Sequence, residues 1–164
     1  MRKKWIVAGV LALALGLIAQ ASSAGSGRNA TVLKFKTMAG VVAPFLGPAN
    51  AIRGIPGAGS AWSIDEADGT LKQNGDLEVE VEGLIITATG VNPVPTFRAV
   101  VSCLSIAAGA AVTLNRVTQP FPANMAGDAE FEGSVNLPSP CLAPIVFVTT
   151  GTGDPPAWFS VTGV

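Results

Sequence analysis

Asn74-Gly75-Asp76-Leu77-Glu78-Val79-Glu80-Val81-Glu82 sets the fold class. Leu77, Val79 and Val81 fall on one side, and Glu78, Glu80 and Glu82 on the other. That period of two belongs to a half-buried strand, not to a helix. Asn-Gly at its head follows a second alternating segment, Trp62 to Gln73, with a bend expected at Gly69. Such a dipeptide between alternating segments is the strongest short-range hairpin signal, because both residues tolerate positive φ.

The same period runs outward in both directions. Thr31 to Met38 sets Val32, Lys34 and Lys36 against Leu33, Phe35 and Thr37. Val41 to Ser60, broken by Pro44, Pro48 and Pro56, reads as a long loop with a short strand near Ala51–Gly54. Beyond a proline turn at Val91–Pro95, Thr96 to Ile106 is apolar on both faces. Phe97, Ala99, Val101 and Cys103 lie on one side, and Val100 and Leu104 on the other. A strand buried on both sides belongs at the centre of a sheet. Further strands are expected at Ala111–Val117, Ala126–Leu137, Ile145–Thr149 and Ala157–Thr162, with Asp128, Glu130 and Glu132 outward in the second of them. Dense punctuation by 19 Gly and 12 Pro, and no long amphipathic segment after residue 24, complete the pattern. It predicts an all-β fold: an antiparallel β-sandwich, or a partly closed barrel, of eight or nine short strands in a single domain over 31–164.

The N-terminus reads as an address. Arg2, Lys3 and Lys4 precede an apolar run of 15 residues, Trp5 to Ala19, and then small residues through Ala24. This is the layout of a secretory signal peptide over 1–24, cleaved after Ala21 or, preferably, Ala24. The run is shorter than the roughly 20 residues that span a bilayer. Residues 25–30 then form a flexible leader. Cleavage removes three bases and no acid, leaving seven bases against 11 acids, a net charge of −4. The expected location is extracellular, with no membrane association after cleavage and no nucleic-acid partner.

Cys103 and Cys141 are the only cysteines. An even count in an exported chain reads as one disulfide, and their spacing fits neither a zinc set nor a redox C-x-x-C. The alternative is two buried thiols.

Most chemistries are closed. With no His and no Tyr, serine and cysteine nucleophiles lack an imidazole base. A Ser-Lys pair would have to use Lys34, Lys36 or Lys72, which fall on wet strand faces or beside a turn. Carboxylate pairs of the glycosidase kind could come from Glu78, Glu80, Glu82, Asp128, Glu130 and Glu132, but the same spacing describes any solvated strand face. Asp65-Glu66-Ala67-Asp68-Gly69 resembles part of a calcium loop. With Gly69 at the invariant glycine, however, the first and last ligands would be Ile64 and Gly75, which fail as ligands. Were the two Glu trios on adjacent strands, they would repel, and a cation could relieve them. Gly54-Ile55-Pro56-Gly57-Ala58-Gly59 matches no phosphate-binding spacing. Asn29-Ala30-Thr31 is a glycosylation sequon where the host glycosylates. Trp62, Trp158 and Phe121, with Phe159, are candidate ligand-binding aromatics near loops, against the alternative of core packing. No cofactor and no metal are expected.

Three segments carry a resemblance: Ala51-Ile52-Arg53-Gly54-Ile55-Pro56-Gly57, Asn92 to Cys103 (NPVPTFRAVVSC) and Leu137 to Val148 (LPSPCLAPIVFV). They look like a set of small secreted bacterial β-sandwich proteins without assigned activity. The resemblance implies export and a compact β domain and transfers no catalytic residue. It draws attention to Arg53 and Arg98, cations in apolar segments, which would either pair with an acid such as Asp128 or Glu130 or snorkel into water. The expectation is a secreted, non-enzymatic structural or interaction module of the bacterial exterior that self-associates or binds a cell-surface component. A carbohydrate-binding module is the alternative, and a carboxylate-dependent glycosidase comes third.

Overall fold

Alternation in the sequence becomes twelve strands in the computed structural model, which describes residues 29–162. The expected signal peptide, its cleavage sites and residues 25–28 of the leader lie outside the described residues. Ala30 is already fixed, its carbonyl accepting from Gln73 N–H at 2.8 Å. No α-helix occurs among the described residues.

Thr31–Phe35 (β1), Glu66–Lys72 (β4), Asp76–Glu82 (β5) and Ala129–Ser134 (β10) form a four-stranded antiparallel sheet in the order β1-β4-β5-β10. The second sheet has six strands. Met38–Gly40 (β2), Trp158–Thr162 (β12), Leu142–Thr150 (β11), Thr96–Ala107 (β7) and Ala110–Val117 (β8) run in the order β2-β12-β11-β7-β8, and Phe121–Pro122 (β9) also pairs with β7. Trp62–Ser63 (β3) and Ile85–Ile86 (β6) make a small third pair. The two large sheets share no strand pairing, so the fold is an open sandwich, not a barrel. The count exceeds the expected eight or nine because several strands are only two or three residues long.

Leu77, Val79 and Val81 are buried, as the alternation requires, together with Ala67 and Leu71 of β4. They face Phe97, Ala99, Val101 and Cys103 of β7 across one hydrophobic core. An aromatic run bridges the layers. Phe131 of β10 lies 5.2 Å from Phe121, which meets Phe97 edge-on at 6.5 Å, and Phe97 meets Phe159 at 5.6 Å. Gly69 does not bend β4. It pairs in register with Val79, and the Phe35 ring covers the space its missing side chain leaves.

Two turns differ from expectation. Gly75 alone takes positive φ at the Asn74-Gly75 turn (φ 94). With Leu71 opposite Leu77 and Gly75 N–H bonded to the Lys72 carbonyl, the loop has three residues and closes on a left-handed glycine. A two-residue turn with both φ positive occurs instead at Arg53-Gly54 (φ 50 and 80), where Ile52 and Ile55 exchange both backbone hydrogen bonds.

Residues 42–58 are a third layer rather than a free loop. Phe45 packs on Trp158, and Trp158 packs on Phe147. Ala58 N–H donates to the Trp158 carbonyl, and Trp158 N–H to that of Pro56. This cover explains the two-sided burial of β7. Val100 pairs with Phe147 on the face away from the four-stranded sheet, and both are fully buried. The cover stops short of Leu104, which is exposed, unlike the central residue expected there.

Cys103 and Cys141 form the disulfide, with Cα atoms 5.0 Å apart. Cys141 directly precedes β11, and Leu142 pairs with Leu104 of β7. The bridge therefore staples neighbouring strands of one sheet.

Candidate interaction surfaces

The three candidate aromatics stand in the core. Trp62 is 3%, Trp158 2% and Phe121 5% exposed. Trp62 stacks on Phe159 at 3.9 Å. A register shift at β12, where Val148 faces Ser160 and Thr149 faces Trp158, inserts one residue. It lets the adjacent Trp158 and Phe159 bury on different neighbours, Phe147 with Phe45 and Trp62 with Phe97. A sugar-stacking platform needs an open ring face, and none of these rings offers one.

The carboxylates, by contrast, come together. Glu78 lies opposite Glu132 and Glu80 opposite Glu130 across β5 and β10, while Asp68 faces Glu80 and Glu66 faces Glu82 across β4 and β5. The two trios are thus on adjacent strands. Val135 N–H donates to the Gly75 carbonyl, continuing the β5–β10 register. Alternation then makes Glu78–Glu132 and Glu80–Glu130 the close, non-hydrogen-bonded pairs. Like charges so placed destabilise a sheet. All of these side chains are exposed on a strand face, where water screens them. A glycosidase acid is held protonated by burial, which this face does not provide. Asp65 to Gly69 is not a calcium loop, since Glu66 to Gly69 are extended strand. No group of three or more potential metal ligands gathers among the described residues.

Asp128 closes one end of the acid face. It accepts from Gly83 N–H at 3.1 Å and from Asn124 Nδ2 at 3.0 Å, while its own N–H donates to Asn124 Oδ1. The Asn124 side chain, and then the Gly83 amide, hold its carboxyl below the usual aspartate range.

Arg53 and Arg116 take carbonyl partners. Arg53 Nη1 donates to the Ser102 carbonyl at 2.9 Å, beside the register shift between Leu142 and Ile145 that interrupts the β7–β11 ladder. Asn115 Nδ2 donates back to the Arg53 carbonyl. Arg116 donates to the carbonyls of Asn136 and Asn115. Arg98 is half-buried, with its Nε buried and unpartnered. Arg53, for which an acid partner or snorkelling into water was expected, instead makes a loop-to-sheet clamp.

A surface the sequence did not single out lies at the far side of the six-stranded sheet. Among the described residues β8 pairs only with β7, through eight unbroken register positions. Thr118 N–H donates to the Ala99 carbonyl and continues that register. By alternation Ala110, Val112, Leu114 and Arg116 bond to β7, and Ala111, Thr113, Asn115 and Val117 turn their backbone N–H groups to the open edge. Among the described residues no backbone partner meets those four amides. Beside this edge, Leu104, Ile106, Val117 and Leu142 are 42%, 58%, 44% and 52% exposed. The register pairs Leu104 with Leu142, Ile106 with Ala111, and Val100 with Val117, placing these residues on one sheet face.

Comparison with protein-family models, curated proteins and solved structures finds no match. The resemblance drawn from the three segments gains no support there.

Proposed function

We propose that this protein is an exported, non-enzymatic interaction module that works through the β8 edge and the apolar residues beside it. The observation that carries the reading is the eight-residue edge next to Leu104, Ile106 and Leu142, which nothing covers among the described residues. Long, flat, weakly charged edges are surfaces at which other chains add strands. The basic-apolar-small N-terminus supports export, and the disulfide is compatible with an oxidising compartment. Exposed carboxylate rows favour neither nucleic acid nor anionic lipid as partner.

Retention of the labelled, processed protein on isolated cell envelopes and on immobilised copies of itself tests this reading. The native protein should bind saturably to at least one of the two, and Ile106→Asp with Leu142→Asp should lower that binding at least tenfold while leaving the circular dichroism unchanged. Equal retention of native and doubly substituted protein, or no saturable binding to either surface, contradicts it.

A further inference from the structure

We infer that the occupant of the β8 edge is a second copy of the same chain, added antiparallel about a two-fold axis at Leu114. This inference rests on the interaction reading above and names its partner.

The edges of the sandwich are not equivalent. β10 carries Glu130 and Glu132, β1 carries Lys34 and a register shift, and β2 has three residues. Charges, bulges and shortness are the usual blocks to edge pairing. β8 has no bulge and is not short: it is eight residues long with an unbroken register. Its one charge, Arg116, is engaged by the Asn136 and Asn115 carbonyls.

Self-complementarity selects the register. A two-fold antiparallel pair must oppose edge-facing residues with edge-facing residues. Centring the axis on Leu114 sets Thr113 against Asn115 and Ala111 against Val117, and it is the one centre that pairs all four edge-facing residues. Centring on Thr113 or on Asn115 leaves one of them without a counterpart.

Side chains agree with that choice. On the covered face of the sheet Thr113 meets Asn115, whose side chain is already held by the Arg53 carbonyl. Ala111 is small, so Ile106, its register partner in β7, can lean over it toward Val117 of the second copy. On the other face Leu114 meets its own copy. Arg116 lies opposite Val112, so no like charges oppose each other. The exposed apolar side chains of Ile106 and Val117 thereby gain cover. The acid rows are on the other sheet.

Thr113→Pro is the informative variant. Its amide faces the open edge, so proline removes an intermolecular donor and no bond to β7. Sedimentation equilibrium of the processed protein from 5 to 200 μM should give twice the monomer mass at the upper end. Thr113→Pro should stay monomeric with an unchanged far-ultraviolet spectrum. Val117→Lys, which places a charge in the pair without touching the backbone, should weaken dimerisation at least tenfold. In the dimer, Thr113→Cys with Asn115→Cys should cross-link between copies, while Thr113→Cys alone should not.

A native protein monomeric to 200 μM overturns the proposal, as does a dimer that survives Thr113→Pro and Val117→Lys unaltered. Amide exchange then separates the two readings. A monomer whose amides at 111, 113, 115 and 117 exchange rapidly overturns the homodimer and leaves the open-edge interaction reading in place. A monomer in which they are protected overturns both.

Discussion

Glu80 shows how far single residues set the energetics of this surface. It has Asp68 on one side and Glu130 on the other, so Glu80→Lys converts two repulsive cross-strand pairs into attractive ones. Stability should rise by about 1 kcal/mol at low ionic strength. Urea titrations should show the gain shrinking as salt is added. Asp128 gives a pH signature of opposite origin. Its carboxyl is held below the ordinary value by Asn124 and Gly83, so the folded state binds the proton less readily than the unfolded chain. The stabilisation is present above the unfolded value near 3.9 and is lost as pH falls through the lower folded value. Asp128→Asn should flatten that acid limb in thermal melts between pH 2 and 5. Arg53 carries a positive φ of 50, a conformation that costs alanine more than glycine. Arg53→Ala and Arg53→Gly both lose the Ser102 contact, and urea unfolding should find the glycine variant more stable by about 1 kcal/mol.

At the scale of elements, the alternation of Leu77, Val79 and Val81 with three glutamates was legible because both faces of β5 have simple surroundings. β7 was legible as a centrally placed, two-sided strand, but the source of its second cover was not. That cover is the 42–58 segment, held by Phe45 on Trp158 and by Arg53 on Ser102. These are long-range contacts that no local pattern announces. The tight turn escaped notice because Arg53 is not a residue type that favours positive φ, whereas Asn74-Gly75 advertised a two-residue turn that a left-handed Gly75 alone replaces. Trp62, Trp158 and Phe121 were misleading for a related reason: proximity to proline and glycine in sequence did not mean exposure, since loops cover the sheet. The acid pairing was conditional on strand adjacency, which the register of β5 with β10 supplies. The cysteine pair was legible from an even count, a spacing foreign to zinc and redox motifs, and the expected export of the chain. It closes a separation of 38 residues between adjoining strands. Replacing both cysteines with alanine should cost about 3–4 kcal/mol on the chain-entropy account, measurable as a lowered urea midpoint with unchanged slope.

For the whole molecule, fold class followed from composition and period, while the candidate surface did not. Whether β8 is an edge depends on the order of strands in the sheet, and sequence period carries no information about neighbours. The sandwich, its loop cover and its staple form one frame, and among the described residues they leave one long edge uncovered. This account depends on the chain reaching an oxidising exterior as a processed, bridged domain. Intact-mass spectrometry of the exported product after alkylation without reductant tests that claim most directly. The account predicts a chain beginning at Gly25 or Ser22, two hydrogens lighter than the reduced form and carrying no alkyl group. A product that retains residues 1–24, or one alkylated at both Cys103 and Cys141, would contradict it.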